Sequence, residues 1–217
     1  MLANFVIIKY NKAIRSLLLV KLTINGCDYI RYTIQTFGCK VNQYESATIA
    51  KAMDEHGYER TEDLFSADII IINSCSVTEN SDKKAKQLIE RIKRRDPMKI
   101  VALTGCFPQA FPAVASSLSA DIVTGTEHKE KLADMIDAFT SNNAKLVEVP
   151  PRPVKKQYEK NNNADMGKTR AFIKIEDGCD RFCSYCIIPT ARGSVRSRPL
   201  DDIKEENVDD DNTDKAD

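Results

Sequence analysis

The chain has 217 residues, with 42% hydrophobic and 29% charged residues and no Trp. This length suits one or two domains, and the composition argues against a disordered or fibrous protein. No apolar run is long enough to cross a bilayer, so we expect a cytoplasmic protein without membrane association. The formal net charge is zero, but the part before residue 201 has 30 basic and 23 acidic residues, a net charge of +7. The basic residues concentrate at 83–99 and again at Arg192, Arg196 and Arg198. Such patches can bind phosphate backbones, although an exposed helix face is the simpler interpretation.

The first part of the chain divides into an extension and the start of a regular pattern. Residues 1–31 mix apolar and basic side chains without a recognisable function, and we expect their Cys27 not to be a metal ligand. From residue 32 to residue 37 the sequence alternates and is β-branched, which predicts a strand. Asn42, with Glu45 three positions later, resembles a capping box and predicts a helix that runs to about His56.

Strands and helices then continue to alternate. The apolar run at 67–73 predicts a strand that is buried on both faces of a parallel sheet. A helix at 79–95, strands at 99–103 and 121–124, and a helix at 128–139 follow. This order predicts an α/β fold for residues 32–140, an open parallel sheet flanked by helices.

Three cysteines follow the predicted strands of this domain. Cys39, Cys75 and Cys106 each come just after the carboxyl end of a strand, the edge where open α/β sheets bind ligands. A single cysteine at such a place is most often a small buried hydrophobe. Three at equivalent places predict that their thiols meet in one metal site.

The second part of the chain contains a predicted linker, a short domain segment and a tail. Residues 141–168 are rich in Asn and Pro, which is typical of a linker. A strand predicted to start at Arg170 leads directly into a loop with three cysteines. Residues 169–200 are therefore interpreted as the first strand and metal-cluster-binding loop of an incomplete barrel. Residues 201–217 are acidic and lack periodicity, and we expect them to be disordered.

That cysteine motif has the spacing C-x-x-x-C-x-x-C, formed by Cys179, Cys183 and Cys186. Three thiolates this close in sequence suit an iron–sulfur cluster that normally takes four ligands, which leaves one iron open. A zinc site would prefer four protein ligands, often as two C-x-x-C pairs, and no second pair is present. A disulfide framework does not suit a chain of this size.

Taken together, these segments resemble the radical S-adenosylmethionine methylthiotransferases. The resemblance covers about residues 32–200 and rests on the sequence around Cys39, Cys75 and Cys106 and on Gly178 to Arg198. It implies two 4Fe-4S clusters, one at Cys39, Cys75 and Cys106 and one at Cys179, Cys183 and Cys186. It also implies S-adenosylmethionine on the open iron of the second cluster, with Tyr185 against the cofactor, and an electron donor that reduces that cluster.

The same resemblance implies a substrate. The sequences from Cys39 to Tyr44 and from Cys186 to Pro189 are most similar to those of the branch that methylthiolates threonylcarbamoyl-adenosine next to the anticodon of tRNA. The isopentenyl-adenosine branch, the ribosomal-protein branch, a non-catalytic iron–sulfur or RNA-binding remnant and a zinc-binding module remain alternatives. We expect no DNA partner. Since the later barrel strands and the family's RNA-binding β-domain are not found, we expect the 217-residue chain alone not to complete the reaction.

Overall fold

The computed structural model describes residues 30–151, 158 and 172–210. Most of the predicted extension, including Cys27, and much of the predicted linker lie outside these residues. The strands are β1 (Arg31–Thr36), β2 (Glu59–Arg60), β3 (Ile69–Ser74), β4 (Ile100–Gly105), β5 (Ile122–Thr124), β6 (Leu146–Glu148), β7 (Glu176–Asp177) and β8 (Arg196–Ser197). The α-helices are α1 (Lys40–Glu55), α2 (Glu79–Arg95), α3 (Cys106–Ala110), α4 (Pro112–Ser117), α5 (Leu132–Asn142), α6 (Ile188–Arg192) and α7 (Leu200–Asp210).

The first six strands form one parallel sheet in the order β2-β1-β3-β4-β5-β6. This confirms the predicted α/β fold with an open parallel sheet. The order reverses between β1 and β3, because the chain runs outward to β2 on one side and to β4 on the other. Such a reversal opens a crevice at the carboxyl ends of the strands, where doubly wound sheets bind their ligands.

The sheet is buried on both faces by helices. Along β3, Ile69 and Ile71 pack into a hydrophobic cluster with α1 and α5, while Ile70 and Ile72 pack into another with α2, α3 and α4. All four isoleucines are at most 1% exposed. A strand with alternating side chains on two buried faces needs a continuous apolar run, which is the pattern that predicted it.

Helix α1 begins earlier than the predicted capping box. Its N-cap residue is Cys39, and no side chain caps the helix. Asn42 and Glu45 therefore lie within the first turns, where both side chains are buried against other elements. The capping-box interpretation is wrong because the two side chains make tertiary contacts and do not reach the free backbone amides of the helix.

The predicted linker and barrel strand also differ from the structure. Part of the predicted linker, β6, is the sixth strand of the sheet and pairs with β5. The strand predicted from Arg170 is not found in its described residues, 172–175. Instead β7 and β8 form a two-residue antiparallel pair, extended by the Arg198 amide donating to Ile175 O at 2.8 Å. A longer strand would need a neighbouring strand along its whole length to pair its backbone groups.

The acidic tail was expected to be disordered, and its first ten residues are instead helical in α7. Glu206 on this helix is buried, accepts a hydrogen bond from Tyr44 at 3.0 Å and pairs with Arg198. Tertiary contacts thus order a segment that has few apolar side chains to bury. Among the described residues, no helix is both long and apolar enough to cross a membrane.

Candidate functional site

A cavity of about 170 Å³ lies at the carboxyl edge of the sheet, at the reversal of strand order. Its lining includes Cys39, Cys75 and Cys106, which follow β1, β3 and β4. Cys75 and Cys106 are buried, whereas Cys39 is exposed. The three cysteines predicted to meet at one edge therefore share one cavity.

Two glycines allow the cysteine loops to approach one another. Gly38 has φ +134°, and a Cβ on it would lie 2.5 Å from the Cβ of Cys75. Gly105 has φ +103°, and a Cβ there would collide with the backbone oxygen of Ser74. A side chain at either position would be strained by the positive φ and would push neighbouring strand ends apart.

A buried amide pair holds the Cys39 loop against the end of β3. Asn42 donates to Ser74 O at 3.1 Å, and Asn73 donates to Asn42 O at 2.9 Å and to Ser46 Oγ at 3.0 Å. The Cys39 thiol donates to Asn42 Oδ1 at 3.3 Å. These contacts fix the backbone between two of the three cysteines, and the sequence pattern gave no sign of them.

Three thiols of this cavity are candidate ligands. Among the described residues, no three His, Cys, Asp or Glu side chains are placed to hold one metal ion. An iron–sulfur cube is wider than one ion, so its thiolate ligands are spread around a larger space. Three cysteines from three loops around a cavity fit that requirement, and thiolates are the ligands such clusters take.

The second cysteine motif forms one loop between β7 and α6. Cys179 and Cys186 are partly exposed and Cys183 is exposed. The loop is shaped by Cys179 N donating to Gly193 O at 3.0 Å and Cys186 N donating to Cys183 O at 3.0 Å. Tyr185, predicted to lie against the cofactor, is 89% exposed. The loop thus presents three thiols and an aromatic ring at the surface.

A buried network of charges joins the two cysteine groups. Glu45 of α1 is 1% exposed and pairs with both guanidinium nitrogens of Arg192, at 2.7 and 3.3 Å. Asp177, next to the cysteine loop, pairs with Arg192 at 3.1 Å and with Lys174 at 2.8 Å. Arg196 pairs with Glu127 at 2.9 Å. Helix α6, which follows the loop, is thereby docked on the sheet domain.

The network shifts the pKa values of its members. Burial alone would raise the pKa of Glu45, but Arg192, Lys174 and Lys129 outweigh it and lower the pKa to about 2. Burial lowers the pKa of Lys129 to about 8. Burial raises the pKa of the Cys106 thiol, and the Arg192 charge opposes that rise. Burial is the larger effect on Cys106, and Arg192, which lines the cavity, is a nearby charge that acts in the opposite direction and favours the thiolate.

The basic residues after the cysteine loop are not a free phosphate-binding patch. Arg192 and Arg198 are buried, and the Arg196 side chain is only 9% exposed. All three are occupied by carboxylates of the protein, so the sequence-based interpretation of this cluster as a phosphate-binding surface is wrong. Composition shows positive charge but not the partner that neutralises it.

Comparisons with known proteins find related sequences. Residues 31–125 match the model of the family described as uncharacterized protein family UPF0004. The chain is 44% identical over 174 residues to the threonylcarbamoyladenosine tRNA methylthiotransferase MtaB of Thermotoga maritima, covering 80% of this chain and 39% of that protein. The MtaB of Bacillus subtilis is 39% identical, covering 77% of this chain and 38% of that protein.

A third relative carries a different substrate in its name. The tRNA-2-methylthio-N(6)-dimethylallyladenosine synthase of Syntrophus aciditrophicus is 35% identical, covering 78% of this chain and 38% of that protein. The chain spans about two fifths of the length of these curated relatives. The resemblance to the methylthiotransferase family noted in the sequence is thus confirmed by relatives with methylthiotransferase names that match about four fifths of this chain.

Proposed function

We propose that this chain is a cluster-binding part of a radical S-adenosylmethionine methylthiotransferase that modifies tRNA in the cytoplasm. The observation that carries the proposal is the meeting of Cys39, Cys75 and Cys106 in one cavity, beside the loop of a second three-cysteine motif. Because the chain spans about two fifths of its relatives, the activity is proposed for the complete family architecture.

Six cysteines would hold two 4Fe-4S clusters. Cys39, Cys75 and Cys106 would bind one, and Cys179, Cys183 and Cys186 the other, with Tyr185 exposed to contact S-adenosylmethionine. When bound, these groups supply the electron for cleaving S-adenosylmethionine, an open iron site and the sulfur to be transferred. The electron itself would come from an external donor.

The chain's own residues position these groups. Glycines at 38 and 105 let the strand ends approach closely, and the amide pair of Asn42 and Asn73 fixes the Cys39 loop. The pair of Glu45 and Arg192 docks the second motif on the sheet domain. The Arg192 charge favours the deprotonated form of Cys106, the form that binds iron, and so opposes the effect of burial on that thiol.

We propose threonylcarbamoyl-adenosine beside the tRNA anticodon as the substrate. Identity is 44%, 39% and 34% to three relatives named for that substrate, and 35% to a relative named for dimethylallyladenosine, so the two highest of these values favour threonylcarbamoyl-adenosine. The dimethylallyl nucleoside is the alternative.

Cluster content tests the first part of the proposal. The 217-residue chain, reconstituted anaerobically with iron and sulfide, should hold about eight iron atoms, two cubane clusters. Cys39→Ala and Cys179→Ala should each remove about four, and Cys27→Ser should remove none. Zinc without acid-labile sulfide, or iron content unaffected by Cys39→Ala, would contradict it.

A chimaera tests the substrate. Residues 31–200 of this chain would replace the matching part of the Thermotoga maritima relative, which supplies the remaining length. With S-adenosylmethionine, reductant and tRNA carrying both nucleosides, mass spectrometry should detect methylthio-threonylcarbamoyladenosine, and the Cys39→Ala chimaera should yield none. Product on dimethylallyladenosine instead would assign the alternative substrate.

A further inference from the structure

Arg192 contacts both parts of the candidate site. It lies at the end of α6, six residues after Cys186, and yet it lines the cavity of Cys39, Cys75 and Cys106. Its side chain is only 7% exposed. From this placement we infer that Arg192 is a positioning residue of the three-cysteine site, contributed by the segment that carries the other cysteine motif. The inference rests on the proposed function.

Among the described residues, Arg192 is the only Lys or Arg in the lining of this cavity, which also includes the carboxylates Glu176 and Asp177. The adjoining network adds two carboxylates, Glu45 and Glu127, and three cations, Lys129, Lys174 and Arg196. With all groups ionised, four carboxylates therefore face four cations. Arg192 is the positive charge that lies beside the three cysteines, where it is held by Glu45 and Asp177. A buried charge is costly unless it is paired, so these carboxylates fix its place at the cavity wall.

Thiolates and the cluster they hold are the anions this cavity is suited to receive. Thiolates, not thiols, are the metal ligands. Arg192 is the cation of the network that lines the cavity itself, so its loss should be felt most directly there. Charge and hydrogen bonding around a cluster set its reduction potential and its stability.

The ion pair with Glu45 makes this placement specific. Glu45 lies on α1, the helix whose N-cap is Cys39. Arg192 ends α6, which follows the Cys179–Cys186 loop. The bidentate ion pair therefore links α1, which begins after Cys39, to α6, which follows the Cys179–Cys186 loop. We expect the geometry of both cysteine groups to depend on it.

The test isolates the three-cysteine cavity. In a chain with Cys179, Cys183 and Cys186 all changed to Ala, the reconstituted iron reports on that cavity alone. In this background, Arg192→Gln should release iron to a chelator about ten- to a hundredfold faster, as outer-shell changes at metal sites do. Its reduction midpoint should shift to more negative values, because a positive charge is lost. Arg94→Gln on the exposed face of α2 is the matched control and should match the parent.

A second variant separates an electrostatic role from a purely structural one. Glu45→Gln removes a negative charge from the same network, so the midpoint should shift to more positive values. Loss of structure alone would move both variants in one direction. Opposite shifts of the two variants support the inference. If Arg192→Gln does not hold iron, Arg192→Lys takes its place: it keeps the positive charge, so a midpoint equal to that of the parent supports the inference and a shifted midpoint contradicts it.

The outcomes distinguish the two proposals. Iron that persists in Cys39→Ala in this background would overturn the proposed function, and the inference with it. Iron lost in Cys39→Ala but held normally, at the parent midpoint, in Arg192→Gln would overturn the inference alone. Midpoints of both network variants that shift in the same direction would also overturn it.

Discussion

Lys129 is a buried lysine whose ammonium donates to Thr104 Oγ1 at 2.5 Å and to Gly125 O at 2.8 Å. Burial lowers its pKa from 10.5 to about 8. Between these values the unfolded chain binds a proton that the folded chain does not, so this residue makes the free energy of unfolding rise with pH. We expect Lys129→Met to remove a rise of about 3 kcal/mol between pH 8 and 10.5, at about 1.4 kcal/mol per pKa unit. Urea unfolding at several pH values measures it.

The comparison must be made between variants, because other groups titrate nearby. Burial raises the pKa values of Tyr32 and Cys106, which lowers stability as pH rises above their ordinary values. Lys84→Met, at an exposed position of α2, is the control and should leave the pH slope unchanged. An equal slope for Lys129→Met and the unchanged protein would refute the lowered pKa of Lys129.

At the scale of an element, the Glu206 carboxylate is a buried contact of helix α7 with the rest of the chain. Glu206 is 7% exposed, accepts from Tyr44 and pairs with Arg198, whose side chain is 1% exposed. Glu206→Ala leaves the buried Arg198 charge without this partner, which should lower the free energy of unfolding by about 3 kcal/mol. Hydrogen exchange should then show faster exchange of the α7 amides.

Glu205→Ala serves as the control on the same helix, since Glu205 is exposed. A surface substitution of this kind should change stability by no more than about 0.5 kcal/mol. If Glu206→Ala behaves like Glu205→Ala, the helix is not held by the buried pair and the described contact has little energetic weight.

At the scale of the whole molecule, the sheet domain should fold by itself, but less stably than the full chain. Residues 30–151 contain all six parallel strands and both hydrophobic clusters. Without residues 172–210, however, Glu45 loses Arg192 and Lys174. A fragment of residues 30–151 should therefore unfold cooperatively at a lower temperature than the full chain, as measured by circular dichroism.

The end point of that fragment matters. A fragment of residues 30–140 lacks β6, whose Leu146 pairs with Ile122 and packs against the hydrophobic core. It should unfold at a still lower temperature. Equal transition temperatures for the two fragments would show that the domain boundary predicted at residue 140 is adequate and that β6 adds little.

Local patterns predicted most of the regular structure. The helix predicted at 79–95 is α2 with the same bounds, because Ala85, Leu88, Ile89 and Ile92 recur at helical spacing on its buried face. The isoleucine run predicted β3, since a strand covered on both faces must be apolar throughout. The short strands β2 and β6 were missed, because they are mostly exposed edge strands without a buried apolar run and are held by pairing with a neighbouring strand. The equally short β5 was predicted, because all three of its residues are buried.

Some residues of the candidate site could be identified from the sequence and others only from the structure. The candidate cysteines could be identified from the sequence, because the residue type supplies the thiolate and the spacing shows which thiolates lie close together. In addition, the carboxyl ends of parallel strands lie at one edge of the sheet. The partners of Glu45, Arg192 and Glu206 could not, because each ion pair joins residues whose approach depends on how segments pack, 147 positions apart for Glu45 and Arg192. Charge in a sequence shows neither burial nor partner. Only the tertiary structure shows that Glu45, predicted to be part of a capping box, pairs with Arg192, and that Arg198 of the basic cluster pairs with Glu206 of the acidic tail.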